Sequence, residues 1–201
     1  NYAFPSLLAL IVMFLAIMLG NTIVMMEKTS PAYIRNFMIP VKKIVFVLAT
    51  LISNIIIIIF QLIVILLIAL AFIPESLPTF PLLFIVLFLA GIIFTLVGML
   101  IGYLFSTEET GILASISTGS LFLFLSGLIL PIEGMSKGLR AVTAYNPFVM
   151  IERLIREVFI FESQFGQVIN EIGMLVLYII VLFLVILVVD SFMHKHFMHR
   201  V

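Results

Sequence analysis

The sequence predicts an all-α protein: a polytopic membrane helix bundle with five spans and a short outer pair of amphipathic helices before the last of them. Three observations carry that reading. Apolar residues make up 64% of the 201-residue chain and charged residues 10%, against about 25% charged in a soluble domain. The apolar residues gather into five runs, 5–26, 44–73, 82–105, 112–130 and 172–189, none with a charge in its interior. Each run meets or approaches the roughly 20 residues that a helix needs to cross about 30 Å of hydrocarbon at about 1.5 Å per residue.

Helices are required because backbone polar groups in lipid must be satisfied within the spanning structure, which leaves only helices and closed barrels. Barrel strands are about ten residues of alternating polarity, whereas IIIIIFQLIVILLIALAFI is continuous. Mean hydropathy is +1.39. The 201 residues are therefore read as one transmembrane domain.

The first run has no basic leader and is too long for a signal-peptide core. The chain opens at Asn1, which is read as an internal or processed start, with further sequence expected upstream. The loop at 27–43 follows, carrying Glu27, Lys28, Arg35, Lys42 and Lys43. Within it Ser30-Pro31 is a cap followed by a proline in the first turn, residues 32–38 suffice for about two turns, and Pro40 ends them. Tyr33 and Phe37 share a face of that short helix. It either docks a soluble partner or rests on lipid headgroups.

The second run, about 30 residues or about 45 Å as helix, must tilt or protrude. Thr50, Asn54 and Gln61 fall on one of its faces; amides in hydrocarbon need partners, from a facing helix or from a wet path. In the third run Gly91, Thr95, Gly98 and Gly102 form a small-residue stripe, and Ser115, Thr118 and Gly119 a shorter one in the fourth. Both stripes are read as packing faces.

The segment 131–166 is too polar to span. Asn146-Pro147 is a cap-and-first-turn signal. After it Phe148, Ile151, Leu154, Ile155, Val158 and Phe159 recur at helical spacing, with Glu152–Arg156 and Arg153–Glu157 paired on the other face. A second short helix is expected at 133–144. The pair is predicted to lie at the outer surface, dipping one apolar face into the lipid boundary. The last run ends near Asp190, and His194, His196 and His199 read as a mobile, solvated basic tail rather than a metal site.

Placing the 27–43 loop in the cytoplasm puts six Lys/Arg inside and four outside, the latter balanced by five acidic residues, which satisfies the positive-inside rule. The first residue is then outside and the last inside. Zero net charge and the lack of a basic cluster point away from nucleic acid, and the lack of cysteine excludes thiol chemistry.

The function classes narrow accordingly. Ion-coupled carriers place ionisable groups within their spans, and no run here has one mid-span. No base stands in recognisable order beside the serines and threonines, and there is no G-x-x-x-x-G-K-[ST] phosphate loop. Uphill transport would have to draw on another polypeptide. A membrane scaffold or assembly subunit and a lipid-acting membrane enzyme are the alternative classes.

The order of parts resembles the type-2 ABC transporter permease family, the membrane subunits of many exporters. The residues that carry it are Glu27-Lys28-Thr29-Ser30-Pro31-Ala32-Tyr33-Ile34-Arg35 through Pro40, then Ser126-Gly127 with Pro131, then Asn146-Pro147 and Glu152-Arg153 with Arg156. The resemblance implies a six-helix subunit of the plasma membrane, working as a homo- or heterodimer with P-loop ATPase subunits that hold ATP and Mg, and no cofactor in this chain. It implies that the loop bearing Glu27, Lys28, Ser30, Tyr33, Arg35 and Phe37 couples to the ATPase. Pro131, Asn146, Pro147, Glu152 and Arg156 would belong to an outer hairpin that helps close the exit. Five spans instead of six leave the first membrane helix, and any outer domain after it, expected upstream. Met135 and Lys137 stand where members often carry another proline-leucine pair.

Overall fold

The computed structural model describes residues 3–30, 43–72, 80–129, 134–160 and 165–198. Among them are seven helices: α1 (Phe4–Thr29), α2 (Lys43–Phe72), α3 (Phe80–Leu104), α4 (Glu108–Phe124), α5 (Lys137–Ala144), α6 (Pro147–Ile160) and α7 (Phe165–Met198). The described residues contain no strand. Four helices hold stretches long and apolar enough to cross a membrane: Phe4–Thr29, Ile44–Leu70, Phe80–Leu104 and Gly166–Asp190.

Of the five runs, 112–130 is the one without a helix of that length. There α4 stops after 17 residues, about 26 Å of helix. The Ser126 hydroxyl donates to Leu123 O at 2.6 Å and accepts from Leu128 N–H at 3.2 Å. Gly127 follows with φ 81°, in the left-handed region open to glycine. This serine–glycine turn ends the helix inside an apolar run, and hydropathy does not register it.

The other ends also have local causes. Ser30 leaves α1 with ψ 138° and its N–H on Glu27 O, because the residue before a proline, here Pro31, is driven out of the helical region. Thr107 caps α4 in extended conformation, with Glu108 and Glu109 in the first turn, where carboxylates complement the helix dipole. Ser136 caps α5 through Leu139 N–H at 3.4 Å, so that helix begins four residues later than the 133 expected. The stretch read as a mobile tail continues α7 through Met198; His199 lies outside the described residues.

Helices α1, α3 and α7 run one way, α2 and α4 the other, so the bundle has a Phe4 end and a Lys28 end. The centre is α3, which packs against α1, α2, α4, α6 and α7 and is buried over most of its length from Leu83 to Tyr103. Its stripe meets α1 backbone to backbone. A Cβ on Gly98 would stand 2.1 Å from Ile17 O, and one on Gly20 would stand 2.3 Å from Thr95 O. Gly91 lies against Ile58 of α2, and Gly102 against Val24 of α1. Outward, α2 exposes Ile52, Ile56, Phe60, Ile63 and Leu67, and α7 exposes Leu177, Ile180, Leu184 and Val188. Such apolar rows suit lipid, which is no less apolar than they are.

A correction concerns α6. Its apolar face does not dip into a lipid boundary. Phe148, Ile151, Leu154, Ile155 and Val158 are each 0% exposed and belong to the central core with residues of α1 and α3. The face that sequence assigns to lipid finds protein instead, because α6 lies across the Phe4 ends of those two helices. In α5, by contrast, only Thr143 is buried.

Candidate functional site

At the Lys28 end two adjacent residues of α1 tie three helices together. The final turn of α1 brings Glu27 beside α2, where the Thr50 hydroxyl donates to its carboxylate at 2.9 and 2.8 Å. One residue on, the Lys28 ammonium donates to Gly102 O at 2.7 Å, Tyr103 O at 2.9 Å and Phe105 O at 3.0 Å. Those oxygens belong to the last turn of α3 and the residue after it, where helix carbonyls lack intrahelical donors and the dipole favours a cation. The Tyr103 ring lies 6.0 Å from the ammonium, at the limit of cation–π contact. From α7, the Asp190 carboxylate acts on Lys28 through charge. Two residues after Lys28 the chain leaves the helix at Ser30.

The face of α2 read from sequence is ordered by this node. Thr50 is 1% exposed and Asn54 0%; the Asn54 amide donates to Thr50 O at 2.9 Å. Gln61, two turns further, is half-buried. Thr50 and Asn54 are thus brought together with Glu27, and Gln61 stands apart from them. Tyr33, Arg35, Phe37 and Pro131 lie outside the described residues, as does the short helix expected at 32–38.

At the Phe4 end the other expected residues form a second cluster. The Asn146 side-chain oxygen Oδ1 accepts from Phe148 N–H at 3.0 Å and its Nδ2 donates to Phe122 O at 2.8 Å. Pro147 opens α6, as the cap-and-first-turn signal predicts. Glu152 and Arg156 pair, and the Ser6 hydroxyl of α1 donates to Glu152 at 2.7 Å. Arg153 and Glu157 make a looser, half-exposed pair at 3.9 Å.

Sequence reasoning missed Asn21, Ser6 and Tyr178. Asn21 is 0% exposed and wedged against Gly111 of α4 and the Gly98 and Gly102 turns of α3. Neither of its amide atoms has a hydrogen-bond partner among the described residues. The signal was available: a glycine–asparagine pair inside an otherwise apolar run. Tyr178 donates its hydroxyl to Tyr145 O, joining α7 to the end of α5; a tyrosine within a span gave no hint of that partner. No group of three or more His, Cys, Asp or Glu able to hold a metal ion occurs among the described residues.

Four membrane-length helices, packed on a glycine-lined centre and laced at one end by a lysine and a carboxylate, define a multi-pass helical membrane protein. Residues 1–188 match the family described as ABC-2 family transporter protein. The chain belongs to that family and is a membrane permease component of an ABC transporter. No curated protein and no solved structure matches it.

Proposed function

We propose that the chain is the transmembrane subunit of an ATP-driven exporter, moving an amphipathic or lipid-like substrate outward with energy from a separate P-loop ATPase. In this reading the Lys28 end faces the cytoplasm and the Phe4 end faces outward. The chain acts beside a second permease subunit in the plasma membrane, and ATP and Mg sit on the partner. The Phe4-end cluster around Asn146 and Glu152 belongs to the outer hairpin, and the apolar α4 is a fifth, short span.

The observation that carries the reading is the Glu27–Lys28 node. The segment 31–42 leaves α1 directly after a pair of residues bonded to α2 and α3. A push on that segment therefore reaches two further helices through charge-assisted hydrogen bonds, stronger than neutral ones, rather than through a slack loop. Asn54, bonded to Thr50 one turn away, carries the displacement along α2; Gln61 is the candidate to line a path. Substrate class is inferred from the charge-free spans, which suit an amphipathic cargo better than an ion.

The test is co-purification from native membranes, with a P-loop protein expected in the complex, followed by the double variant Tyr33→Ala with Phe37→Ala. That variant should lower substrate-stimulated ATPase activity while membrane levels hold. Stimulation equal to wild type would refute docking through this segment.

A further inference from the structure

The junction between α5 and α6 does more than cap a helix. Asn146, 5% exposed, uses both ends of one amide. Its oxygen accepts from Phe148 N–H at 3.0 Å, which is ordinary N-capping of α6. Its nitrogen donates to Phe122 O at 2.8 Å and Leu125 O at 3.3 Å, carbonyls of the last turn of α4 and of the residue that caps it, where intrahelical donors run out. The preceding residue, Tyr145, accepts from the Tyr178 hydroxyl of α7. Further along α6, Glu152 accepts from Ser6 of α1. Thus α6, whose inner face is buried against α1 and α3, is hydrogen-bonded to α1 through Glu152 and Arg156, and the Asn146 side chain at its start bonds the end of α4.

The geometry points to Asn146 as a positioning residue: its amide nitrogen straps α6 to the end of α4, so that the two shift together when the Phe4 end opens. The acceptor half of the side chain forms the helix; the donor half places it. This rests on the reading of the Phe4 end as the outlet.

The two halves separate chemically. Aspartate and serine are as good N-caps as asparagine, yet neither presents an amide donor to Phe122 O and Leu125 O, and a carboxylate would face those oxygens unfavourably. These 201 residues hold no cysteine, so labelling of a thiol introduced among them is read as the excess over the unsubstituted protein. Ile151, 0% exposed on the inner face of α6, serves as Ile151→Cys. The readout is its labelling rate by a thiol reagent in full-length protein purified from membranes.

Asn146→Asp and Asn146→Ser are both expected to speed labelling about tenfold, because losing the donor bonds raises the open population. Their helix content should match that of Asn146. Labelling at the wild-type rate in both, with acceleration only in Asn146→Ala, would reduce Asn146 to a cap and overturn the proposal. Loss of both variants from the membrane would also count against it, since the strap would then serve folding rather than position. Labelling requires neither ATPase nor substrate. Faster labelling without a co-purifying ATPase would sink the exporter reading and leave the strap standing; the converse pair of results would sink the strap alone.

Discussion

Gly20 of α1 and Gly98 of α3 each lie against a backbone oxygen of the other's helix. A Cβ on Gly98 would meet Ile17 O at 2.1 Å, and one on Gly20 would meet Thr95 O at 2.3 Å. Backbone cannot yield as a side chain can, so both positions exclude any side chain. The approach brings the two helices into dispersion contact, the main attraction left between helices when lipid is as apolar as leucine.

Gly98→Ala should therefore destabilise the bundle by about 1–3 kcal/mol, the usual cost of forced overpacking. Gly91→Ala should cost less, because its Cβ would meet the Ile58 side chain, nearest at Cγ2, 2.8 Å, and a side chain gives way more readily than backbone. Thermal unfolding in detergent checks the ranking; equal losses would show that backbone contact at Gly98 does not decide the packing.

The Lys28 cap makes a different demand. Three carbonyls converge on one ammonium at 2.7–3.0 Å. A point charge with three rotatable donors suits them, whereas a planar guanidinium does not. Lys28→Met should cost about 1–3 kcal/mol, discounted for a half-exposed group, and Lys28→Arg should recover only part of it. If arginine matches lysine in both thermal stability and ATPase coupling, charge alone suffices and the three-carbonyl geometry is incidental.

Much of this architecture was legible in the sequence, for identifiable reasons. The spans α1, α2 and α3 begin and end within a few residues of their apolar runs, because length and hydropathy determine membrane crossing and Pro31 stops α1. The Asn146-Pro147 start of α6 and its two ion pairs were legible because capping and i,i+4 contacts are local. What was hidden depended on neighbours. Hydropathy took Leu125, Leu128 and Ile129 as span, although Ser126 and Gly127 turn the chain there. The apolar face of α6 reads alike whether lipid or α1 covers it. The partners of Lys28 lie more than 70 residues away, and no spacing rule reaches that far.

Asn21 yields a prediction of opposite sign. Its amide is 0% exposed and unpartnered among the described residues, and a buried polar group without partners costs about 1–3 kcal/mol. Asn21→Val, an apolar residue nearer to asparagine in size, should leave the thermal midpoint unchanged or raise it. A clear fall would mean that the amide is paired in the membrane.

The link between α1 and α2 is best weighed by a double-mutant cycle. Thr50→Val keeps shape and removes the donor to Glu27; Glu27→Gln keeps the acceptor oxygen and removes the charge. Phe46 O, 3.1 Å from the Thr50 hydroxyl, competes with Glu27 for its one proton, so the single variant does not isolate the Glu27 bond, and the cycle does. A coupling of about 0.5–2 kcal/mol in thermal stability is expected for groups in direct contact. If the node transmits force from the 31–42 segment to α2, the same pair should couple in ATPase stimulation as well. Coupling in stability with additive effects on stimulation would make Glu27–Thr50 a structural brace and leave Lys28 to carry the signal.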